Sequence, residues 1–548
     1  MTMSRHPLAA DLSLLVAWPL MLLLADFDWA FTPLGKIDPW VYFGTFVNLP
    51  YILTNFSQTY YVGRLSWILP GYLAHSLLPP VAAVVCLHLA VFYAATLGCY
   101  FSLKTTVGRM PALVVSLILG AYQPFLDAVG WDYVDGAGVA YFLLACACGA
   151  VGVQGKRPRL WGVWSGVFAG ACVITNLAWL MLLPGFVIYL ACLSSGWPFV
   201  QRARLALSIG AGAAAVTIAC ALVFASITGV YLFFLPSISV SRVLVSQPNP
   251  WQNPTYEWVW DSALLGTAGA VYLLSLIAVV RQAASRGVAA SIAPHAVWLW
   301  TLPVMLLVQL SGTPVLQFPW YVSYLIPGLA LSTGGLLAEP LRRVSPRAVA
   351  AALTIAAAVW LPVFASARGT QPAGEIAPFM VAVALVTLAA IALRMSSRRA
   401  WLSAMGLACI VVLLVVHRGT REGQAGERET SYRVTVDALE QLLPIQLEKP
   451  FYFWYSQDAP RAYHSAYQSI SSCYMWAYRL FSARFPARTT PTGTVNQPQS
   501  GQRIVLLTET PQTVHEIEEK LGAGIRVVRE GHIARDGLGF NLIVFDVK

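Results

Sequence analysis

The sequence predicts a polytopic α-helical membrane protein whose C-terminal end forms an extramembrane α/β domain, and three observations predict it. The 548 residues are 57% hydrophobic and 11% charged, where an ordinary soluble domain is roughly 25% charged. So few charges cannot cover a globule of this size, and most apolar side chains must meet lipid. Apolar stretches of span length recur along the chain, with basic residues concentrated in every second connection. The last segment, 418–548, returns to soluble composition with 15 basic and 14 acidic residues.

Stretches long enough to cross a bilayer number thirteen, near 11–28, 79–101, 110–126, 137–153, 160–176, 179–194, 205–228, 262–280, 293–311, 319–338, 348–366, 376–393 and 400–417. Charge tests this parse. One alternating set of loops, with the N-terminus, holds sixteen Lys and Arg, while the other set holds only Lys36, Arg64, Arg242 and Arg368 up to residue 417. Cytoplasmic loops collect basic residues, so the N-terminus is expected in the cytoplasm and the C-terminal domain outside it, in the periplasm if the membrane is a bacterial inner membrane. The net charge of +10 is then an orientation signal and does not point to a nucleic-acid partner. The first stretch follows a basic start with no small-residue cleavage site before Asp26 and Asp28, and it reads as a retained first helix.

Acidic residues run the other way. Asp26, Asp28, Asp38, Asp127, Asp132, Asp135, Glu257, Asp261 and Glu375 fall on the outer side, against Asp11 and Glu339 on the inner. Carboxylates contribute little to orientation, so this second asymmetry asks for chemistry on the outer face. Eight of the nine cysteines lie in apolar runs, where Cys packs as a small hydrophobe, and Cys146-x-Cys148 has the wrong spacing for structural zinc.

The membrane domain is expected over 1–417, with a long first outer loop at about 29–78 that is too polar to span and too apolar to be solvated. Its Trp, Tyr and Leu content suits helices lying in the membrane interface. The segment 229–261 is a second long outer loop. In the tail, PFYFWYS, RIVLLTE, IRVV and FNLIVFDV read as strands. TPQTVHEIEEKLGAG reads as a helix with Thr510 or Thr513 at its cap and Gly522 at its end. No phosphate-binding glycine loop, nucleophile elbow or metal-ligand cluster accompanies them. Tyr463, Tyr467, Tyr474, Trp476 and Tyr478 serve either as core or as sugar-stacking surfaces.

Four features carry candidate chemistry. Asp38, between Ile37 and Pro39 and close to Trp40 and Tyr42, is either a proton acceptor near lipid and aromatic rings or the start of a helix. The loop LDAVGWDYVDGAG gathers Asp127, Asp132 and Asp135. Three close carboxylates fit a divalent cation or sugar hydroxyls, and they also fit a turn. Arg64 in YYVGRLSWILP has the guanidinium geometry to hold a lipid phosphate, or it snorkels to ordinary headgroups. Arg242 in the second long loop is a similar phosphate candidate.

An acid opening a long first outer loop, a second acidic loop, roughly a dozen helices and a soluble outer tail together resemble the GT-C superfamily of integral-membrane glycosyltransferases. Its members include the aminoarabinose transferases and the protein O-mannosyltransferases. The resemblance is architectural over 1–417 and most specific at IDPWVYFG around Asp38 and at YYVGRLSWILP. It implies a polyprenyl-phosphate sugar donor, Asp38 as the catalytic acidic residue, and Asp132 and Asp135 as the second acidic loop. Two departures bear on the acceptor class and on any metal: Asp38 lacks an adjacent second acid, and the third loop lacks an acid-rich motif.

The resemblance implies transfer of a sugar to a lipid, glycan or protein acceptor on the outer face, among membrane lipids, with Asp38 taking the acceptor proton. Arg64 or Arg242 would meet the departing phosphate, and Asp127, Asp132 and Asp135 would bind substrate. A divalent metal ion, with Asp132 and Asp135 as candidate ligands, is the one cofactor the pattern leaves open. An O-antigen ligase or polymerase would use similar donors but place its chemistry in a large late loop. A transporter would need mid-membrane charges and repeated halves, and the spans carry almost no charge.

Overall fold

The computed structural model describes residues 6–25, 27–31, 38–130, 134–246, 263–283, 289–311, 319–342, 427–442, 451–455, 459–477, 489–490, 499–535 and 537–548. Helices dominate. In chain order they are α1 (His6–Ala25), α2 (Asp38–Val47), α3 (Leu49–Phe56), α4 (Leu65–Leu77), α5 (Pro80–Thr106), α6 (Arg109–Ala121), α7 (Gln123–Gly130), α8 (Val134–Gln154), α9 (Pro158–Thr175), α10 (Leu183–Leu193), α11 (Phe199–Thr228) and α12 (Leu235–Ser246). After these come α13 (Ala263–Ala283), α14 (Ala289–Leu310) and α15 (Ile326–Arg342), and in the tail α16 (Glu427–Leu442), α17 (Arg461–Ala477) and α18 (Val514–Leu521).

Helices occupy the predicted apolar stretches up to residue 338. The stretches 348–366, 376–393 and 400–417 lie outside the described residues. By length and hydropathy, Pro80–Thr106, Asp135–Gln154, Phe199–Thr228, Ser291–Leu310 and Tyr321–Ala338 can each cross a membrane. Helices α6 and α7 meet the same length and hydropathy criteria together, across a bend of 62°. On α11, Leu207, Ile218 and Leu222 are 73%, 58% and 56% exposed, a surface that only lipid makes favourable.

Helices α5, α8, α9 and α11 pack side by side. Without a hydrophobic force between helices in lipid, close packing depends on small residues. A Cβ at Gly166 would lie 1.9 Å from the carbonyl oxygen of Ile209, and one at Gly212 would lie 2.0 Å from that of Val163. The α9–α11 crossing is therefore backbone against backbone. Elsewhere the helices are interrupted by 3₁₀ turns at Phe27–Ala30, Leu177–Leu182 and Pro319–Leu325, and irregular backbone at such depth survives only where protein or a cavity surrounds it.

In the tail, β1 (Phe451–Trp454), β2 (Thr489–Thr490), β3 (Arg503–Thr508), β4 (Ile525–Arg535) and β5 (Leu538–Val547) form one sheet in the order β2-β1-β3-β5-β4. The β1–β2 and β1–β3 pairs are parallel; β3–β5 and β4–β5 are antiparallel. Thr513 caps α18 in a capping box with Glu516, and Gly522 ends it at φ 63°. Helix α18 covers one face of the sheet, where Ile517 and Leu521 meet Trp454, Ile504, Leu506 and Phe545. Against the other face, Tyr467 of α17 is buried with its ring 5.1 Å from and edge-on to Phe540. Tyr463 lies 6.3 Å from Tyr467; the side chains of Tyr474 and Trp476, and Tyr478, fall outside the described set.

One apolar core runs from the helices through the 29–78 segment into the tail. Tyr432, Ala438, Phe453 and Tyr467 belong to the same buried cluster as Trp40 and Phe43. Helices α16 and α17 lie between α2 and the sheet.

Candidate functional site

Asp38 opens α2, followed by Pro39. Proline suits the first helical turn and a carboxylate suits its positive end, so the local sequence fixes where this acid sits. Residues four apart share a helix face, and Tyr42 therefore points the same way as Asp38, while Trp40 and Phe43 point away. The chain then reverses through α3 and returns along Thr59–Arg64. There Tyr61 donates its hydroxyl to Asp38 at 2.7 Å, and the Arg64 guanidinium donates to the Tyr42 hydroxyl.

Arg64 stands immediately before α4 and is 8% exposed. Its guanidinium carbon lies 5.0 Å from the Tyr60 ring centre and 5.7 Å from that of Tyr42, within cation–π range. The rings of Tyr60 and Tyr61 are 4.0 Å apart, and Tyr42 meets Tyr61 edge-on at 5.5 Å. A buried cation thus lies against two phenols, and a third, Tyr61, packs on both rings and anchors the acid.

Asp135 completes the group from α8. It is 1% exposed, and its electrostatic surroundings are Arg64, Tyr324 and Asp38. Neither carboxylate oxygen closes a hydrogen bond of ordinary geometry with a described residue. Tyr324 comes from the 3₁₀ turn Pro319–Leu325, 4.6 Å from Trp179 and 5.9 Å from Tyr321. Tyr321 in turn acts on Tyr60. Glycine makes this convergence possible: a Cβ at Gly138 would fall 2.3 Å from the Trp179 indole nitrogen.

Burial pushes the Tyr60 phenol up to about 12, with the Asp38 charge adding and Arg64 opposing. Burial likewise raises Tyr61, with Tyr60 and Asp38 reinforcing it, and raises Tyr42 against the opposing pull of Arg64. All three remain neutral hydroxyls near pH 7, able to donate to an anion or a carboxylate.

The other candidates lie elsewhere. Asp127, half-buried on α7, pairs with Arg428 of the tail at 3.4 Å. Arg242 is exposed on α12. Asp132 is outside the described residues. Among the described residues no three His, Cys, Asp or Glu side chains gather as a metal set, and Arg64 supplies the positive charge that acts on Asp135.

Five tyrosines of this group were not singled out from sequence. Tyr42 and Tyr61 carried a local signal, being four residues after Asp38 and three before Arg64. Tyr60 is beside Tyr61. Tyr321 and Tyr324 had none, because only tertiary packing brings residues so far along the chain to the first loop.

ArnT from Cupriavidus metallidurans, in a crystal structure bound to undecaprenyl phosphate, matches 99% of this chain and 98% of its own, with a TM-score of 0.52 at 14% identity. The chain has the fold of ArnT. Two further structures are similar with lower scores. The oligosaccharyltransferase of Archaeoglobus fulgidus in its apo form has a TM-score of 0.45 at 13% identity, covering 86% of this chain and 64% of that one. AglB from the same organism, in complex with an inhibitory peptide and a dolichol-phosphate, has a TM-score of 0.41 at 15% identity, covering 85% and 64%. ArnT and AglB are GT-C superfamily members, and the fold expected from the sequence is the one this chain shares with ArnT. No family model matches the sequence, and no curated protein matches it. At this identity the likeness to ArnT is one of fold.

Proposed function

We propose that the protein is a membrane glycosyltransferase that moves a sugar from a polyprenyl-phosphate donor to an acceptor hydroxyl or amine, on the outer face of a bacterial inner membrane. The observation that carries this reading is the paired set of contacts Tyr61–Asp38 and Arg64–Tyr42 beside buried Asp135. In it a carboxylate, a guanidinium and neutral hydroxyls meet among largely buried side chains. ArnT's bound undecaprenyl phosphate and the basic-loop asymmetry of the sequence support the donor class and the sidedness. About thirteen spans over 1–417 form the membrane domain, and 418–548 form the periplasmic part.

In the reaction the acceptor atom attacks the anomeric carbon of the sugar, and the bond from that carbon to the lipid phosphate oxygen breaks. The electron pair leaves with the phosphate. Asp38 takes the acceptor proton, a role worth about 10² to 10⁴ in rate, while Tyr61 fixes which carboxylate oxygen faces the acceptor. Arg64 meets the charge that grows on the phosphate, in a site dry enough for that interaction to be strong. Asp135, with Tyr324, accepts from sugar hydroxyls. Any role of a divalent ion falls to Asp132 and Asp135.

The test is release of polyprenyl phosphate. The purified, reconstituted protein is incubated with a panel of polyprenyl-phosphate sugars and an extract of envelope glycolipids and glycans. Release of the lipid phosphate with sugar appearing on an acceptor supports the reading; folded protein that releases none from any donor overturns it.

A further inference from the structure

The face of α2 opposite Asp38 is held by the tail. Tyr432 of α16 is fully buried, with its ring stacked on Trp40 at 5.8 Å, edge-on to Phe43 at 5.5 Å and tilted against Phe31 at 5.3 Å. Its hydroxyl donates to the carbonyl of Pro80 at 3.4 Å, where α5 begins. The start of α16 is pinned twice: the Glu429 amide donates to the Asp28 carboxylate at 3.0 Å, and Arg428 pairs with Asp127 at 3.4 Å. Helix α17 packs along α2 as well.

Helix α2 is only ten residues long, too short to keep its position by its own hydrogen bonds. Two pairs of its side chains are therefore decisive: Asp38 and Tyr42 toward the phenol–guanidinium group, Trp40 and Phe43 toward Tyr432. A shift of the second pair moves the first, because the helix is one rigid body over this length.

We propose that Tyr432 is a positioning residue for Asp38, so that the tail is an integral wall of the catalytic site. This deepens the function proposed above and rests on it for its kinetic part. A misplacement of about 1 Å at a reacting group costs on the order of 10²-fold in rate, so the ring of Tyr432 is expected to govern kcat without touching substrate. Arg64, which meets the donor's phosphate, stands before α4 and not on α2, so the donor KM is expected to change less than kcat.

The experiment compares full-length wild type, Tyr432→Ala and Tyr432→Phe in lipid, each corrected for folded protein. Tyr432→Ala is expected to lower kcat by roughly 10- to 100-fold with donor KM within about twofold, while Tyr432→Phe, which keeps the ring, restores most of kcat. Hydrogen exchange read on the same samples is expected to quicken in 38–47 with Tyr432→Ala and to stay unchanged in α8. If Tyr432→Ala leaves both kcat and exchange at wild-type values, or lowers only the yield of folded protein, the positioning role is wrong. If exchange in α2 quickens but wild type transfers no sugar, the mechanical link stands and the glycosyltransferase reading fails.

Discussion

Tyr61 reaches back across 23 residues of sequence to donate its hydroxyl to Asp38 at 2.7 Å, so the acid that opens α2 is oriented by the strand of chain that leads to Arg64. The same turn, Tyr60 to Arg64, delivers both the donor for the carboxylate and the cation. Removing the hydroxyl alone, with Tyr61→Phe, is expected to lower kcat about tenfold, the size of a charged hydrogen bond of about 1.5 kcal/mol. Steady-state transfer kinetics check this; an unchanged kcat means Tyr61 does not orient the acid.

Gly63 sits where this turn touches the segment after α11. A Cβ there would lie 2.6 Å from the backbone oxygen of Phe233, and a backbone atom in a buried contact cannot swing aside. Gly63→Ala is expected to displace Arg64 and to weaken polyprenyl-phosphate binding about tenfold, with a stability loss of about 1–3 kcal/mol. Arg64→Lys is expected to weaken binding as well, because an ammonium cannot hold the Tyr42 hydroxyl and a phosphate with one planar fork. Titration with polyprenyl phosphate measures both.

The alkaline side of the rate profile tests the phenols. A raised pKa keeps the protonated, neutral form to higher pH, and Tyr60 is pushed up to about 12, with Tyr42 and Tyr61 raised too. The hydrogen bonds they donate are therefore present below the ordinary phenol value near 10 and are lost only above it. No fall in kcat is expected between about pH 8 and 10. A limb with an apparent pKa near 10 would show a phenol exposed to water.

In the tail, Asp546 receives Arg503 at 2.7 and 2.9 Å and Arg526 at 2.8 Å. The Arg503 hydrogen bonds hold its carboxyl below the ordinary value of 3.8. A depressed carboxyl contributes stability above its unfolded value, and that contribution disappears as the pH falls through the folded one. Asp546→Asn is expected to cost about 1 kcal/mol near neutral pH, the modest worth of a partly solvated pair. The gap between wild-type and variant melting curves should close below about pH 3.8; a gap that persists there would assign the loss to packing.

Much of this was legible in the sequence where a signal is local. Asp38-Pro39 announces a helix start, and Thr513, Glu516 and Gly522 mark both ends of α18. Apolar length marks where helices run up to residue 338, and Asp135 drew notice as one of three close carboxylates in LDAVGWDYVDGAG. Tertiary partners were not legible. Asp127 looked like one of three equivalent loop acids, yet it meets Arg428, 301 residues away. Asp28 reads in the sequence as one of the outer-face acids, and nothing local shows that it accepts from the Glu429 amide near the start of the tail helix. Tyr321 and Tyr324 look like ordinary aromatics of an apolar segment, because nothing in PWYVSYL reports that a 3₁₀ turn aims them at Asp135 and Tyr60.

The central claim is that Asp38 accepts the proton of the incoming nucleophile. The direct measurement is single-turnover transfer by Asp38→Asn, with polyprenyl-phosphate binding measured on the same preparation. The account predicts a rate lower by about 10² to 10⁴ with binding not weakened, since the amide keeps the shape and loses the basicity together with the negative charge. A rate within about threefold of wild type, far short of a general base's worth, would contradict it.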